Sequence, residues 1–570
     1  MSPVLPHLLL IAVAGAITYL GALGAGFLAI DDISMLSSVT TGSPTLRELF
    51  LGGGSEYYRP LAVLTYAANA MLSGRNAEAF HAVNIAVHVL NASLVYYLAV
   101  SLFADNEKKH TLAFISALFF LLHPLNTEAV IWISARPDLL CTFFFLLALI
   151  LLSTQRENHQ LPAVFLLFIA IMGSLWSKEA ALSIFAIVPL FLLLDRKRIK
   201  GKDAAFFLSA LIVSFVVYVL LRSGGKPAVI DRGIASVVAG VAAPTGSHPS
   251  LLDAAAAYGF YLRKLVWPFP LNFTLLTFDK TAALVALALA LTVAYLLLRR
   301  YVILLLPTLV IFVGIIPPVM AYLGNIPWTP LGERYLYLPM VGFSLVVGFI
   351  ATKSARIPDV IPLAVVLLLA VPTIERVGVW SDPKAFWNDA LQKSPQFAKS
   401  YSALGVAAFD EGDYALAERH MRKALDLGFD RPVIWQNLGK VYAARKEFGK
   451  YETVMLEAAL RSPTPAAVYQ EMILTLSPVN YEDDPFWGYK KAIHYNLKTL
   501  ENNPDFTQAH YNVGKLYMHM GDYTKAHHHL KTYADLAIKE EFRPFALKMI
   551  EKIKSAERST ARNLALKGSE

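Results

Sequence analysis

The stretch Phe27-Leu28-Ala29-Ile30-Asp31-Asp32-Ile33-Ser34-Met35-Leu36 decides how the chain is read. A mostly apolar run that begins near residue 5 ends here, and it is long enough to cross a bilayer. Two adjacent aspartates follow at once, so the pair sits where a membrane helix meets water. Neighbouring carboxylates repel, which makes one of them a candidate for a raised pKa and for base chemistry. The plainer reading is that Asp31 and Asp32 mark the end of a helix.

The rest of the chain favours chemistry. Of 570 residues, 56% are hydrophobic and only 16% charged. The mean hydropathy of +0.47 is that of a polytopic membrane protein. The charge is uneven. Residues 1–376 are apolar runs with short polar breaks, and 380–570 has a soluble composition. The net charge of +8 reflects basic membrane loops. No Lys/Arg stripe interleaved with aromatics is present, so a nucleic-acid partner is not expected. Cys141 is the single cysteine, which excludes an intrachain disulfide.

About eleven spans are expected: 5–29, 80–103, 110–123, 138–153, 161–176, 179–194, 204–222, 281–298, 301–320, 334–351 and 357–374. Lys108, Lys109, Arg156, Arg196, Lys197, Arg198, Lys200, Lys202, Arg299, Arg300, Lys353 and Arg356 occupy alternate loops. They fall on one side if the N-terminus is cytoplasmic and 251–268 does not cross. The positive-inside rule then places the C-terminal part outside; the short loops favour the periplasm of a bacterial inner membrane over a eukaryotic lumen. Tyr261, Arg263, Lys264 and Trp267 suit a helix lying in the outer interface.

With that topology the distinctive polar residues gather on the outer side. The first outer loop, 31–79, carries Asp31, Asp32 and Tyr58-Arg59. His81, Asn84 and His88 share one helical face, which should point into the bundle. The histidines read either as hydrogen-bonded core residues or, less readily, as metal ligands. The next loop brings His123, Glu128, Arg136 and Asp138, and a tight turn brings Lys178 and Glu179. A long outer segment, 223–280, follows, and then Glu333, Arg334 and Tyr335. Lys178 and Arg334 also suit snorkelling anchors, and Arg59 and Arg136 also suit loop-holding ion pairs. Separate anchoring does not explain the convergence of two carboxylates with Arg59, Arg136, Lys178 and Arg334. That set suits a base acting beside a phosphate-bearing leaving group.

The C-terminal half repeats. Leu404, Gly405, Ala417 and Ala424 are followed, thirty-four residues on, by Leu438, Gly439 and Ala458. A degenerate unit fills about 466–504, with an insertion near 478–488. Another unit carries Tyr511, Gly514, Tyr517 and Ala526. This is the tetratricopeptide pattern, a stack of helix pairs suited to holding a protein or peptide. Helices at 383–393 and 542–556 are expected to cap it. The whole is therefore an all-α fold: a polytopic membrane domain and a helical solenoid.

The segments FLAIDD, YYRPLAVLTY, FHAVNIAVHVLNA, LLHPLNTEAVIWISARPDLL, SKEAALS and GERYLYLPMVGF, in this order and ahead of the repeats, resemble the transmembrane and tetratricopeptide-repeat-containing O-mannosyltransferases. The resemblance implies a GT-C fold whose first outer loop carries an acidic pair, here Asp31 and Asp32. It also implies transfer of a sugar from a lipid-phosphate donor at the outer face. A further Asn-containing stretch often found in the family's first loop is not evident after Ser34. The combined expectation is an inverting transferase with a polyprenyl-phosphate sugar donor and a protein acceptor. Asp31 is its base, with Asp32 second. Tyr58, His81, Asn84, His88, His123, Glu128, Asp138, Glu179, Glu333 and Tyr335 are expected to support the site. No resident cofactor is expected. Mg²⁺ or Mn²⁺ held by the aspartates is the alternative to a metal-free reaction. Competing functions are a membrane-anchored repeat scaffold, a transferase acting on a glycan or lipid, and a transporter. A transporter would place its polar residues at mid-bilayer rather than at one face.

Overall fold

The computed structural model describes residues 3–28, 30–40, 45–51, 58–154, 161–194, 201–223, 250–324, 331–353, 357–479, 483–537 and 543–567. Arg156, Arg196, Lys197, Arg198, Lys200 and Arg356 lie outside these residues. So do 224–249 of the long outer segment and 480–482 of the insertion. Every described element is helical, and the chain divides into two compact units, Met1–Pro395 and Gln396–Glu570.

The first unit is that of a multi-pass membrane protein. Among the described residues, eight helices are long and apolar enough to cross a membrane. The expected spans at 161–176 and 179–194 are the shorter apolar helices Val164–Leu175 and Glu179–Leu194. The span expected at 110–123 belongs to a bent pair, Lys109–Leu122 and Pro124–Ile131, turning by 49°. The bend has a local cause. Pro124 lacks the amide that would continue the helix, and His123 is extended and caps the next turn.

The Ala77–Leu102 helix packs against Val4–Tyr19, Lys109–Leu122 and Arg136–Thr154. Its polar face turns inward: His81, Asn84, His88 and Asn91 are all buried. Glycines set the closest approaches. A Cβ on Gly342 would strike the Pro307 carbonyl, and one on Gly348 would strike Ser116.

The Leu251–Val266 helix departs from the interfacial reading. A capping box of Ser250 and Asp253 starts it, and it packs along Lys280–Arg300. Tyr261 and Lys264 are buried inside the protein, whereas Trp267 is exposed. Gly259 makes the contact possible, since a Cβ there would meet the Ala283 carbonyl. The Pro383–Lys393 helix also departs from expectation. It falls in the first unit, where Phe386 packs on Phe273 and Trp380 and Arg376 pairs with Asp389 at 2.5 Å.

Among the described residues the second unit is four helix pairs and a terminal helix. The first helices begin at Ala398, Pro432, Pro465 and Thr507. The eighth residue of three of them is glycine: Gly405, Gly439 and Gly514. There Met421, Met455 and Leu530 of the partner helix fill the space of a Cβ. The third pair has Met472 at that position, and its close approach moves to Gly488, under the Leu476 and Val479 carbonyls. Arg543–Lys567, longer than the expected 542–556, covers the last pair through Ala546, Ile550 and Ile553.

Gly259→Leu is expected to lower the unfolding midpoint of the detergent-solubilised protein, at a cost of about 1–3 kcal/mol, because a backbone carbonyl blocks the added side chain. Gly378→Ala, with no atom within 4 Å of the added Cβ, is the control that leaves the midpoint unchanged or raised.

Candidate active site

Residues 25–28 leave the first helix, and Asp31 forms the turn into a new helix, Asp32–Thr40. The two aspartates are treated very differently. Asp32 is fully buried. Its Oδ2 accepts the Leu28 amide at 3.0 Å, and its Oδ1 accepts the amide and hydroxyl of Ser134 at 2.9 and 2.5 Å. Burial pushes its carboxyl up to about 6, against the opposing pull of these hydrogen bonds. Asp31 is half-buried, and among the described residues its carboxylate accepts no hydrogen bond. Its carbonyl is held instead, by the Met35 amide at 2.9 Å and the Ser34 hydroxyl at 2.8 Å. The result is a free carboxylate on a fixed backbone, one residue from a fastened one.

Ser134 leads directly to the cations. Four residues beyond it, Asp138 takes Lys178 Nζ on both oxygens at 2.6 Å. The Lys178 ammonium also lies 5.0 Å from the centre of the Tyr335 ring. Arg334 stacks on Tyr335 and Trp132, at 4.4 and 4.7 Å, and donates to Glu128 at 2.5 Å. The other Glu128 oxygen accepts the Glu333 and Arg334 amides at 2.8 and 3.3 Å, so it caps the turn that carries the arginine. Glu333 Oε1 takes Lys264 Nζ at 2.9 Å and the Asn272 amide at 2.8 Å. Arg59 grips Glu179 Oε2 through Nε and an Nη at 3.1 and 2.8 Å. The adjacent Leu61 amide bonds the Trp176 carbonyl at 3.2 Å, tying the first loop to the Lys178 turn. Separate segments thus meet through paired charges around Tyr335.

The tetratricopeptide repeat family model matches residues 398–427. The protein O-mannosyl-transferase F38B6.6 of Caenorhabditis elegans is 24% identical over 74% of this chain and 62% of its own length. The human protein O-mannosyl-transferase TMTC3 is 23% identical over 90% of this chain and 62% of its own length. The homologues are TMTC protein O-mannosyl-transferases. Human TMTC1 is 35% identical over 162 residues, 26% of this chain and 18% of that one. The chain thus spans about three-fifths of the length of the TMTC relatives that it matches along most of its own.

Several expected site residues have other work. Arg136 is fully buried. Its guanidinium donates to Asn84 Oδ1 at 2.8 Å, Asn69 Oδ1 at 2.9 Å, the Phe80 carbonyl at 3.1 Å and the Thr65 carbonyl at 3.3 Å. With the Tyr66 ring 4.6 Å away, little of it is left for a phosphate. Asn84 also donates to the Val130 and Trp132 carbonyls, at 3.2 and 3.4 Å. His88 bonds Tyr337 at 2.7 Å and the Leu121 carbonyl at 3.1 Å. His123 takes the Leu125 amide at 3.4 Å, and His81 is buried beside Ala25, Gly26 and Ile131. Arg136, Asn84, His88 and His123 fasten broken backbone. Tyr58 donates to the Phe50 carbonyl at 2.8 Å and braces the first loop.

Sequence reading missed Ser134, Asn272 and the inward role of Lys264. Ser134 gives no signal. Lys264 does: it follows the buried Ala257 and Tyr261 at spacings of seven and three, on the same helical face. A Mg²⁺ or Mn²⁺ site does not fit these residues. Among the described residues no group of three His, Cys, Asp or Glu is placed to hold a metal, and both Asp32 oxygens already face N–H and O–H donors.

Because the carboxyl of Asp32 is raised from 3.8 to about 6, the folded protein binds its proton more tightly than the unfolded chain does. This contribution is fully present below pH 4 and is lost as pH rises to about 6. Asp32→Asn cannot titrate, and its amide turns a donor toward a donor. The unfolding midpoint of the wild type minus that of the variant is expected to fall across this window. A flat difference would remove the assignment.

Proposed function

We propose that this chain is a membrane glycosyltransferase that moves a sugar from a polyprenyl-phosphate-linked donor to a protein hydroxyl at the extracytoplasmic face. The observation that carries the reading is the carboxylate of Asp31, which accepts no hydrogen bond among the described residues, on a backbone fixed next to the fastened Asp32. Through Ser134, Asp32 is joined to the segment holding Asp138, Lys178, Glu128 and Arg334. The names of the relatives, protein O-mannosyl-transferases, support the same class of chemistry.

Asp31 accepts the proton of the acceptor hydroxyl. The hydroxyl oxygen bonds to the anomeric carbon as the bond from that carbon to the phosphate oxygen breaks, and polyprenyl phosphate leaves with the electron pair. One displacement inverts the anomeric centre, as in a GT-C transferase. Arg59, Lys178 and Arg334 favour the charge developing on the phosphate. Arg136, placed in this group by its sequence context, belongs to the scaffold. In this reading the N-terminus is cytoplasmic, and the repeats lie outside and hold the acceptor. The donor's prenyl chain lies in the bilayer.

The test is incubation of the purified protein with labelled polyprenyl-phosphate sugars and a hydroxyl acceptor peptide. Turnover of at least one donor is expected, and failure of the whole panel would overturn the reading. Asp31→Asn is expected to lower turnover by at least about 100-fold while the unfolding midpoint holds. An undiminished rate would exclude Asp31 as the base. Lys178→Ala is expected to raise the KM for donor more than that for acceptor. Equal rises would assign Lys178 a structural role.

A further inference from the structure

Among the described residues, not every cation at the Tyr335 end of the bundle pairs with a carboxylate. Glu179 pairs with Arg59, Asp138 with Lys178, and Glu128 with Arg334. Another cation stands at the same end of the bundle. The Gly201–Arg222 helix packs on Leu161–Leu175 and on Ile184–Leu194. The first of these runs toward the Lys178 turn and the second runs away from it, so a third antiparallel helix ends beside that turn. Tyr218 is buried there, with its ring 5.8 Å from that of Tyr58, the neighbour of Arg59. Arg222 folds back along its helix and donates an Nη to the Tyr218 hydroxyl at 2.8 Å. Arg222 and Arg59 both act electrostatically on Glu179.

Among the described residues Arg222 has no carboxylate partner. A basic residue at a helix C-terminus is ordinary, because it complements the helix dipole, and an arginine at a bilayer surface usually extends into the headgroups. Arg222 instead turns inward onto a tyrosine that packs against the first loop. With Lys264 on Glu333, four cations here each pair with a carboxylate, and Arg222 is the one that, among the described residues, is held by a tyrosine hydroxyl instead.

We propose that Arg222, held by a tyrosine rather than by a carboxylate among the described residues, is a further binding residue for the donor's phosphate. The inference rests on the polyprenyl-phosphate reading above. It also follows the charge of the reaction. The donor's phosphodiester carries one negative charge. When the bond to the sugar breaks, the proton goes to Asp31 and the electron pair stays on the phosphate, which leaves as a monoester able to carry two. A cation already neutralised by a carboxylate responds less to that gain than an unpaired one. Arg222 therefore holds departing polyprenyl phosphate more strongly than donor, and Tyr218 orients it.

The experiment compares wild type, Arg222→Gln, Arg222→Lys and Tyr218→Phe for donor KM, turnover and inhibition by added polyprenyl monophosphate. Arg222→Gln is expected to raise the inhibition constant of the monophosphate at least tenfold and the donor KM by less, with acceptor KM and unfolding midpoint unchanged. Arg222→Lys keeps the charge and should stay within about threefold of wild type. Tyr218→Phe should fall between the two. An inhibition constant within twofold of wild type in Arg222→Gln, or equal rises in every constant, would overturn the role of Arg222. If Arg222→Gln does not fold, Arg222→Lys and Tyr218→Phe decide: a tenfold loss in the lysine variant, or no change in the phenylalanine one, counts against it. Absence of turnover in the wild type would instead overturn the donor reading.

Discussion

Backbone that breaks inside an apolar body must find every hydrogen bond within the protein, because lipid supplies none. The first unit is arranged around this constraint. Between Leu122 and Arg136 the helices kink, turn and restart, which frees a series of peptide groups. Tertiary partners collect them one by one. His88 takes the Leu121 carbonyl, Thr373 the Leu122 carbonyl, Asn84 those of Val130 and Trp132, and Tyr66 that of Ile133. Asp32 takes the Ser134 amide. Each residue is polar, buried and committed. Together they hold open a geometry that continuous helices would not allow, with Glu128 and Asp138 on one short segment facing Arg334 and Lys178.

This explains why some site residues were legible in the sequence and others were misread. Periodicity placed His81, Asn84 and His88 on one inward face, and the structure has them there. Periodicity does not separate a group that reacts from a group that fastens, because both must be polar and buried. The distinction lies in whether partners saturate the side chain, and those partners are carbonyls scattered over the chain. Arg136 is the sharpest case. Its place in the sequence, between Trp132 and Asp138, matches that of a site residue. The oxygens that hold it come from Thr65, Asn69, Phe80 and Asn84, which no local pattern connects to it.

The repeat unit was legible for a different reason. Its contacts are local, so each helix pair carries its own evidence. Gly405, Gly439 and Gly514 stand at equal positions because a partner side chain fills the same space each time. The third pair was faint because Met472 occupies that position and Gly488, on the following helix, provides the close approach instead. The geometry is kept while the residue that signals it moves. A similar displacement hid Lys264. Its amphipathic helix matched an interfacial pattern, but the face with Tyr261 and Lys264 is covered by protein, and the ammonium closes on Glu333 and on the carbonyls of Pro268 and Pro270.

The acidic pair joins these themes. Two free carboxylates side by side would repel, and each would raise the other's affinity for a proton. Giving one of them three donors and no solvent turns it into a structural anchor. The cost of burying Asp32 is offset by what it organises: the Leu28 amide on one side of the turn and Ser134 on the other. Asp31 then inherits a fixed carbonyl from Ser34 and Met35 and a side chain that, among the described residues, accepts no hydrogen bond. A base needs a set position and an unoccupied oxygen, and a single aspartate that anchored the turn would lack the second. An acid pair divided in this way meets both needs within two residues, which is the arrangement that the base proposed at Asp31 requires.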